Sequence, residues 1–173
     1  MPFIAWTVRR RHLRVLALLV AIPLAAVVGG LVEAGRAASA ASAPQPQRID
    51  LAAGYPSFAH GYRLSLTEAV LPPGAGFPPH RHPGMQVAYV RSGTLQYTVF
   101  QGRVKIFRGH PGSSQELVRV LRAGQTGSIK TGQWIIETPS LHHKGANMGR
   151  KRVVILLATL LRSNEPPAIP VTP

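Results

Sequence analysis

The chain contains no cysteine among its 173 residues. This absence excludes disulfide bonds and cysteine-based zinc sites, and it suits an exported protein that avoids stray thiols. Acidic residues are also few, with six Asp and Glu against 20 Lys and Arg, and the formal net charge is +14. Such an excess favours anionic surroundings such as envelope polymers, lipid head groups or anionic ligands. A solvated basic surface that serves solubility is the alternative explanation.

The positive charge is not confined to the N-terminus. Residues 1–40 contain five Arg and Glu33, and the remainder still carries 15 Lys and Arg against five acidic residues, a net charge of +10. Nucleic acid is an obvious partner for such a charge. However, the sequence has no helix-turn-helix pattern and no platform of interleaved basic and aromatic residues, so we expect no nucleic-acid partner.

Residues 1–40 do not resemble part of a folded domain. Four arginines lie between Arg9 and Arg14, and an uncharged apolar run follows from Val15 to Val32. The sequence Ala38-Ser39-Ala40 then fits a small-residue cleavage site, so the layout predicts a secretory signal peptide. An uncleaved membrane anchor is the alternative, because the run is nearly long enough to span a bilayer. Both interpretations place the rest of the protein in the extracellular space or the cell envelope.

The remainder of the chain divides into three parts. Residues 41–55 begin with Ala, Ser, Pro and Gln and predict a flexible linker, and the Pro-rich residues 163–173 predict a surface tail. Residues 56–162 hold short alternating or β-branched segments bounded by Gly and Pro, which is typical of a β-barrel or sandwich. The predicted strands cover residues 62–71, 85–91, 94–100, 103–107, 117–121, 126–129, 134–138 and 153–161.

The most informative stretch runs from Gly74 to Gly93. His80 and His82 lie two residues apart, and Gln86 follows four residues later. Because side chains on a strand alternate between its faces, these three share one face if the segment is extended. Two imidazoles and a side-chain carbonyl on one face form a candidate metal site.

This stretch resembles the first motif of the cupin superfamily, which runs Gly, five residues, His-x-His, three or four residues, Glu, six residues, Gly. Gln86 stands where the motif has Glu, a replacement also found in many small single-domain cupins. The resemblance covers roughly residues 56–162. It implies an all-β fold, a single cupin-type antiparallel β-barrel (a double-stranded β-helix or jelly roll), with a metal site inside it.

A later stretch resembles the second cupin motif. Gly132, His143 and Asn147 keep the spacing of that motif, whereas Pro139 is displaced by one position. The adjacent His142 is the alternative to His143, because a single β-bulge would exchange the faces of the two side chains. Asn147 is expected to form a turn rather than bind a metal.

The predicted ligands of one divalent transition-metal ion are therefore His80, His82, Gln86 and His143. Imidazole and carbonyl oxygen suit Zn, Fe, Mn, Ni or Cu, and the sequence does not distinguish among them. Four neutral ligands would leave the ion with its full charge, which favours anion binding at its open positions. A barrel that binds no metal is the alternative.

The expected function is that of an exported cupin whose cavity binds a small anionic or oxygenated organic molecule. Metal-centred catalysis, as in an oxygenase or isomerase, is one expectation, and a non-catalytic sensor or binding protein of the envelope is the other. No nucleophile or acid–base pair stands out. Glu137 is a candidate general base, although a surface salt bridge is the more ordinary interpretation. A homodimer, and contact with anionic envelope polymers or the membrane, complete the expectations.

Overall fold

The computed structural model describes residues 43–110 and 114–173, which form strands and turns without an α-helix. No helix in these residues is long and apolar enough to cross a membrane. The strands in chain order are β1 (Gln47–Gly54), β2 (Tyr62–Leu71), β3 (His80–Arg81), β4 (Gly84–Ser92), β5 (Thr94–Gln101), β6 (Arg103–Arg108), β7 (Glu116–Arg122), β8 (Thr126–Lys130), β9 (Gln133–Glu137), β10 (His142–Ala146), β11 (Val153–Arg162) and β12 (Ile169–Pro170).

The strands form two antiparallel sheets. One sheet has seven strands in the order β1-β2-β11-β4-β9-β6-β7, and the other has five in the order β12-β3-β10-β5-β8. Most neighbours within a sheet are distant along the chain, as in double-sheet jelly rolls. The predicted all-β, antiparallel jelly-roll class is therefore confirmed.

Strand β4 shows how the sequence sets the two faces of a sheet. Gln86, Ala88 and Val90 are buried, whereas the alternate residues Met85 and Val87 are exposed. This period of two is that of a strand with one face on the core. The sequence alternation therefore decides that the side chain of Gln86 points to the interior.

A continuous apolar core lies between the sheets. The seven-stranded sheet contributes Leu71 and Ile155, and the five-stranded sheet contributes Leu95, Val99 and Ile129. Full burial of such an aliphatic side chain contributes about 1.5–3 kcal/mol. The core thus fixes the register of the strands that carry the polar residues of the interior.

The glycine that closes the first motif has a steric role. Gly93 connects β4 to β5 with φ of +83, and a Cβ atom there would lie 2.8 Å from the carbonyl oxygen of Arg152. Glycine alone adopts this conformation without strain and leaves room for the neighbouring chain. The motif position is therefore explained by the turn rather than by metal chemistry.

All eight predicted strands are confirmed, with every end placed within one residue, whereas β3 and β10, which lie among them, are not among the predicted strands. The linker predicted over residues 41–55 is wrong in its extent, because β1 pairs along β2 in antiparallel register. β1 is an edge strand with all of its residues exposed, so no burial pattern in the sequence marks it. The tail predicted over residues 163–173 likewise contributes β12, which pairs with β3.

The signal or anchor segment predicted over residues 1–40, with its cleavage site, lies outside the described residues. Export and anchoring therefore stay predictions.

Candidate metal centre

Three histidines converge in the interior, as the two motifs predict. His80 on β3 lies directly opposite His143 on the antiparallel β10, and His82 follows β3 by one residue. His80 is 5% exposed, His143 is 2% exposed and His82 is 1% exposed. One ring nitrogen of each lies within 4.8 Å of the corresponding atoms of the other two. The fold thus brings together three ligands that are up to 63 residues apart in the sequence.

The second ring nitrogen of each histidine faces a backbone carbonyl. The Nδ1 atoms of His80, His82 and His143 lie 2.7, 2.5 and 3.5 Å from the carbonyl oxygens of Pro78, Pro167 and Leu141. A carbonyl only accepts hydrogen bonds, so Nδ1 carries the proton where the bond is made, and the neutral ring keeps its electron pair on Nε2. Histidines that bind metals are oriented in this way by a hydrogen bond from their other nitrogen.

Two further polar side chains from the other sheet reach the cluster. Gln86 on β4 lies directly opposite Glu137 on β9, and both side chains are buried. The Nε2 atom of Gln86 donates a hydrogen bond to Oε2 of Glu137 and lies 3.3 Å from Nε2 of His82. Gln86 is therefore part of the cluster, and its role as a ligand stays a prediction because its amide nitrogen is the atom that faces the imidazole.

Glu137 is the residue that sequence reasoning placed wrongly, since it is not on the surface. It is 2% exposed, and Oε2 and Oε1 lie 3.3 Å from Nε2 of His82 and 3.2 Å from Nε2 of His143. The hydroxyl of Tyr97 on β5 donates to Oε1 at 2.7 Å. The signal that could have found it is the alternation along β9, where Glu137 has the same parity as the buried Ile135.

Burial and neighbouring charges have opposing effects on the pKa values of several side chains in the cluster. Burial, reinforced by the neighbouring His143, lowers the pKa of His80 to about 4. Burial also lowers the pKa of His143, against the opposing charge of Glu137. For Glu137, burial alone would raise the pKa, but His143, His82 and Tyr97 together lower it to about 2. A carboxylate ion thus lies beside the His143 imidazole, which burial tends to keep neutral, and a bound cation would compensate the charge of the carboxylate.

The imidazole nitrogens and carboxylate oxygens of the cluster are suitable ligand atoms for a metal ion. The Nε2 atoms of neutral imidazoles and the oxygens of a carboxylate are all acceptors, so they cannot bond to one another. Only a proton or a cation between them makes their close approach favourable. Three imidazole nitrogens with an adjacent oxygen donor are a typical set for Zn or a related divalent transition metal, and they leave coordination positions open.

The neighbouring histidine and the motif asparagine lie outside this cluster. A bulge falls between His142 and His143 in the pairing of β10 with β5, and His143 is the buried one of the two. Asn147 is fully buried, and its amide donates to the carbonyls of Leu71 and Lys151. Asn147 therefore anchors the turn after β10, as expected.

Two neighbouring cavities lie beside the cluster. The inner one, of about 30 Å³, is lined by His80, His143, Gln86 and Glu137. It has room for about one water-sized species. The outer one, of about 310 Å³, shares Arg48, Gln86 and Leu157 with it and is also lined by Arg63 and Arg162. The outer cavity is therefore adjacent to the inner one, which contacts His80 and His143.

A family model for the cupin domain matches residues 67–114, a range that includes His80, His82 and Gln86. The match covers 48 of the 173 residues and shows that this part of the chain is similar to the cupin domain. No curated protein sequence matches the chain.

Solved structures similar to this chain include three bacterial proteins. The polyketide cyclase RemF from Streptomyces resistomycificus has a TM-score of 0.49 and 18% identity, over 76% of this chain and 74% of that chain. A cupin 2 domain-containing protein from Halorhodospira halophila has a TM-score of 0.48 and 14% identity, over 74% of this chain and 72% of that chain. A conserved protein of unknown function from Streptococcus pyogenes has a TM-score of 0.45 and 16% identity, over 70% of this chain and 78% of that chain. At such low identity these similarities carry no information about activity.

Proposed function

We propose that this protein is an exported cupin that holds one divalent transition-metal ion on His80, His82 and His143 and binds a small anionic or oxygenated organic molecule beside it. The observation that carries the proposal is the convergence of three buried imidazoles whose Nδ1 atoms face backbone carbonyls. That arrangement directs three electron pairs at one point, as in protein zinc sites with three histidines.

The arginines of the outer cavity support an anionic ligand. Arg63 and Arg162 form ion pairs with Asp50 and Glu165. Arg48 forms no such pair within the described residues, and its guanidinium lies 4.9 Å from the ring centroid of Phe77 at the junction of the two cavities. A carboxylate or an enolate oxygen placed there would face Arg48 on one side and the metal on the other.

The metal would act as a Lewis acid towards an oxygen of the bound molecule, at the positions that the protein leaves open. The protein itself would contribute orientation and exclusion of water, because the histidines and Glu137 are almost fully buried. Arg48 would fix the charged end of the molecule.

A non-catalytic envelope sensor is the second candidate, and Tyr97 favours it. Burial, the charge of Glu137 and the hydrogen bond to Glu137 raise the pKa of Tyr97 well above 10. The phenol therefore keeps its proton near neutral pH and does not serve as a general base. Incubation with a panel of diketones, phenols and sugar derivatives, with each metal restored, separates the two candidates, since only an enzyme changes the ligand.

Elemental analysis of the full-length protein, purified without a His tag, tests the metal site. About one transition-metal ion per chain is expected as isolated or after soaking in Zn, Fe, Mn, Ni or Cu salts. A content below about 0.1 ion per chain under all of these conditions would contradict the proposal.

Cell fractionation with N-terminal sequencing tests the location. A cleaved signal would give a protein outside the cytoplasm that begins near Ala41, and an anchor would give a membrane-bound protein with an intact N-terminus. A soluble cytoplasmic protein that retains Met1 would contradict export.

A further inference from the structure

We infer that Glu137 is the anionic ligand of the metal, and that Gln86, which occupies the Glu position of the first motif, positions Glu137 instead of binding the ion. This inference rests on the proposed metal site. It adds a ligand from β9, at a position that neither motif specifies, and it replaces the amide oxygen in the ligand set that the sequence predicts.

The distances from Glu137 to the imidazoles are longer than those of a charge-assisted ion pair and are compatible with a shared metal ion. The oxygens of Glu137 lie 3.3 Å from Nε2 of His82 and 3.2 Å from Nε2 of His143. A charge-assisted hydrogen bond between imidazolium and carboxylate would be about 2.7–2.9 Å long. Two ligand atoms that are each about 2.0–2.1 Å from one ion, with an angle of about 110° between the two bonds, lie about 3.3–3.4 Å apart. The observed spacing agrees with the second arrangement.

The other carboxylates of the described chain show what Glu137 lacks. Asp50, Glu68, Glu116 and Glu165 each form an ion pair with an arginine. Within the described residues, Glu137 has only histidines as cationic partners at ion-pair distance. It is also the most deeply buried of the five. A carboxylate in this position needs a compensating charge, and a divalent ion between the imidazoles supplies one.

Each oxygen of Glu137 is held by one hydrogen-bond donor. Tyr97 donates to Oε1 at 2.7 Å, and Gln86 donates to Oε2. A carboxylate oxygen has electron pairs beyond the one that each donor uses, and the remaining ones face the histidines. Ligating carboxylates are typically oriented by such outer hydrogen bonds.

The orientation of Gln86 follows from the same contact. A carboxylate only accepts hydrogen bonds, so the amide must present its nitrogen to Glu137. The same nitrogen is the atom that lies 3.3 Å from Nε2 of His82. An amide nitrogen has no electron pair to offer a metal, whereas the carboxylate beside it has several. The glutamine thus suits the role of a positioning residue, and the site with its ion would carry a charge of +1 rather than +2.

Cobalt binding by the full-length protein, purified in mild detergent, tests the inference. Competitive chelator titration gives the Co²⁺ affinity, and the visible d–d absorption spectrum reports the donor atoms of the bound ion. Glu137→Gln is nearly isosteric and is expected to weaken Co²⁺ binding by at least about 100-fold and to change the spectrum. Gln86→Met and Tyr97→Phe, which each remove one donor to Glu137, are expected to weaken binding by about 10-fold and to preserve the spectrum.

The possible results separate the two proposals. If the unaltered protein binds no Co²⁺ or other metal, the proposed function itself fails. If it binds Co²⁺ and Glu137→Gln keeps both affinity and spectrum, only the inference about Glu137 is wrong. A spectrum that changes in Gln86→Met but not in Glu137→Gln also overturns it and restores Gln86 as the ligand.

A purely structural role for Glu137 would lower the thermal stability of the metal-free variant and leave the cobalt spectrum unchanged. If Glu137→Gln does not fold, Glu137→Asp provides the test, because it keeps the carboxylate on a shorter side chain. Weaker Co²⁺ binding with a shifted spectrum is then expected, and an unchanged spectrum contradicts the inference.

Discussion

Carboxylates occur in two regions of this molecule with opposite surroundings. On the surface they pair with arginines, as Glu116 does with Arg108 at 2.7 Å. In the interior, Glu137 faces the imidazoles of His82 and His143 at 3.3 and 3.2 Å. Exposed pairs contribute about 0–1 kcal/mol to stability, whereas a buried charge without a full partner costs several kcal/mol. This difference in cost is the reason for the proposal that the interior carboxylate binds a metal ion.

The largest expected effect concerns the interior. His143→Ala removes one of three convergent imidazoles and is expected to abolish at least about 90% of the bound metal. His142→Ala is the matched control, because that neighbour is outside the cluster and is expected to retain nearly all of it. Elemental analysis of both variants measures the difference. If His142→Ala loses more metal than His143→Ala, the assignment of His143 is wrong.

A second change adds charge to the interior. Gln86→Glu places a carboxylate directly opposite Glu137, so the metal-free variant should unfold at a lower temperature because of repulsion. A divalent ion relieves this repulsion, and metal affinity is expected to rise by about 10-fold or more. Affinity for small anions at the open positions should fall, because the net charge of the site is lower.

Chelator titration and anion binding, measured side by side on Gln86→Glu and the unaltered protein, check both shifts. Unchanged metal affinity in Gln86→Glu would show that position 86 neither contacts the metal nor affects it through Glu137.

A smaller effect is expected from the C-terminal tail. Truncation after Glu165 removes β12 and the Pro167 carbonyl, which accepts the Nδ1 hydrogen bond of His82. Loss of such an outer partner typically weakens metal binding by about 10–100-fold, and we expect about 10-fold here. Removal of Thr172 and Pro173 alone, which leaves this contact in place, is the control. Equal affinities in the two truncated proteins would mean that the tail does not orient His82.

The smallest effect is expected at the surface. Glu116→Gln breaks the ion pair with the exposed Arg108 and should change the free energy of unfolding by at most about 1 kcal/mol, with no change in metal affinity. Urea unfolding and chelator titration measure the two quantities. A loss of metal affinity in Glu116→Gln comparable to that of Glu137→Gln would remove the distinction between the two regions.

Most of the fold is predictable from the sequence because its strands alternate between a buried and an exposed face. Strand β1 is not, since all of its residues are exposed. Strands β3 and β12 have two residues each, which is too short for any periodic signal. These elements exist because they pair with a neighbouring strand, and that information lies in the tertiary structure.

The sequence likewise predicts only some of the residues of the candidate site. The His-x-His spacing predicts His80 and His82, and the second motif predicts His143 over His142. Glu137 occupies a position that neither motif specifies, and its place depends on the pairing of β9 with β4, which puts it opposite Gln86. Likewise, the carbonyl of Pro167 lies beside His82 only because of the path that residues 163–173 follow. Residues far apart in sequence reach the metal site only through sheet register, so a linear pattern does not show them.

The most direct test of the central claim is the anomalous diffraction of zinc-loaded crystals at the zinc absorption edge. One zinc peak is expected between the three imidazoles, about 2.0–2.1 Å from the Nε2 atoms of His80, His82 and His143, and about 2.0–2.2 Å from an oxygen of Glu137. A crystal saturated with zinc that has no anomalous peak between these rings would contradict the account.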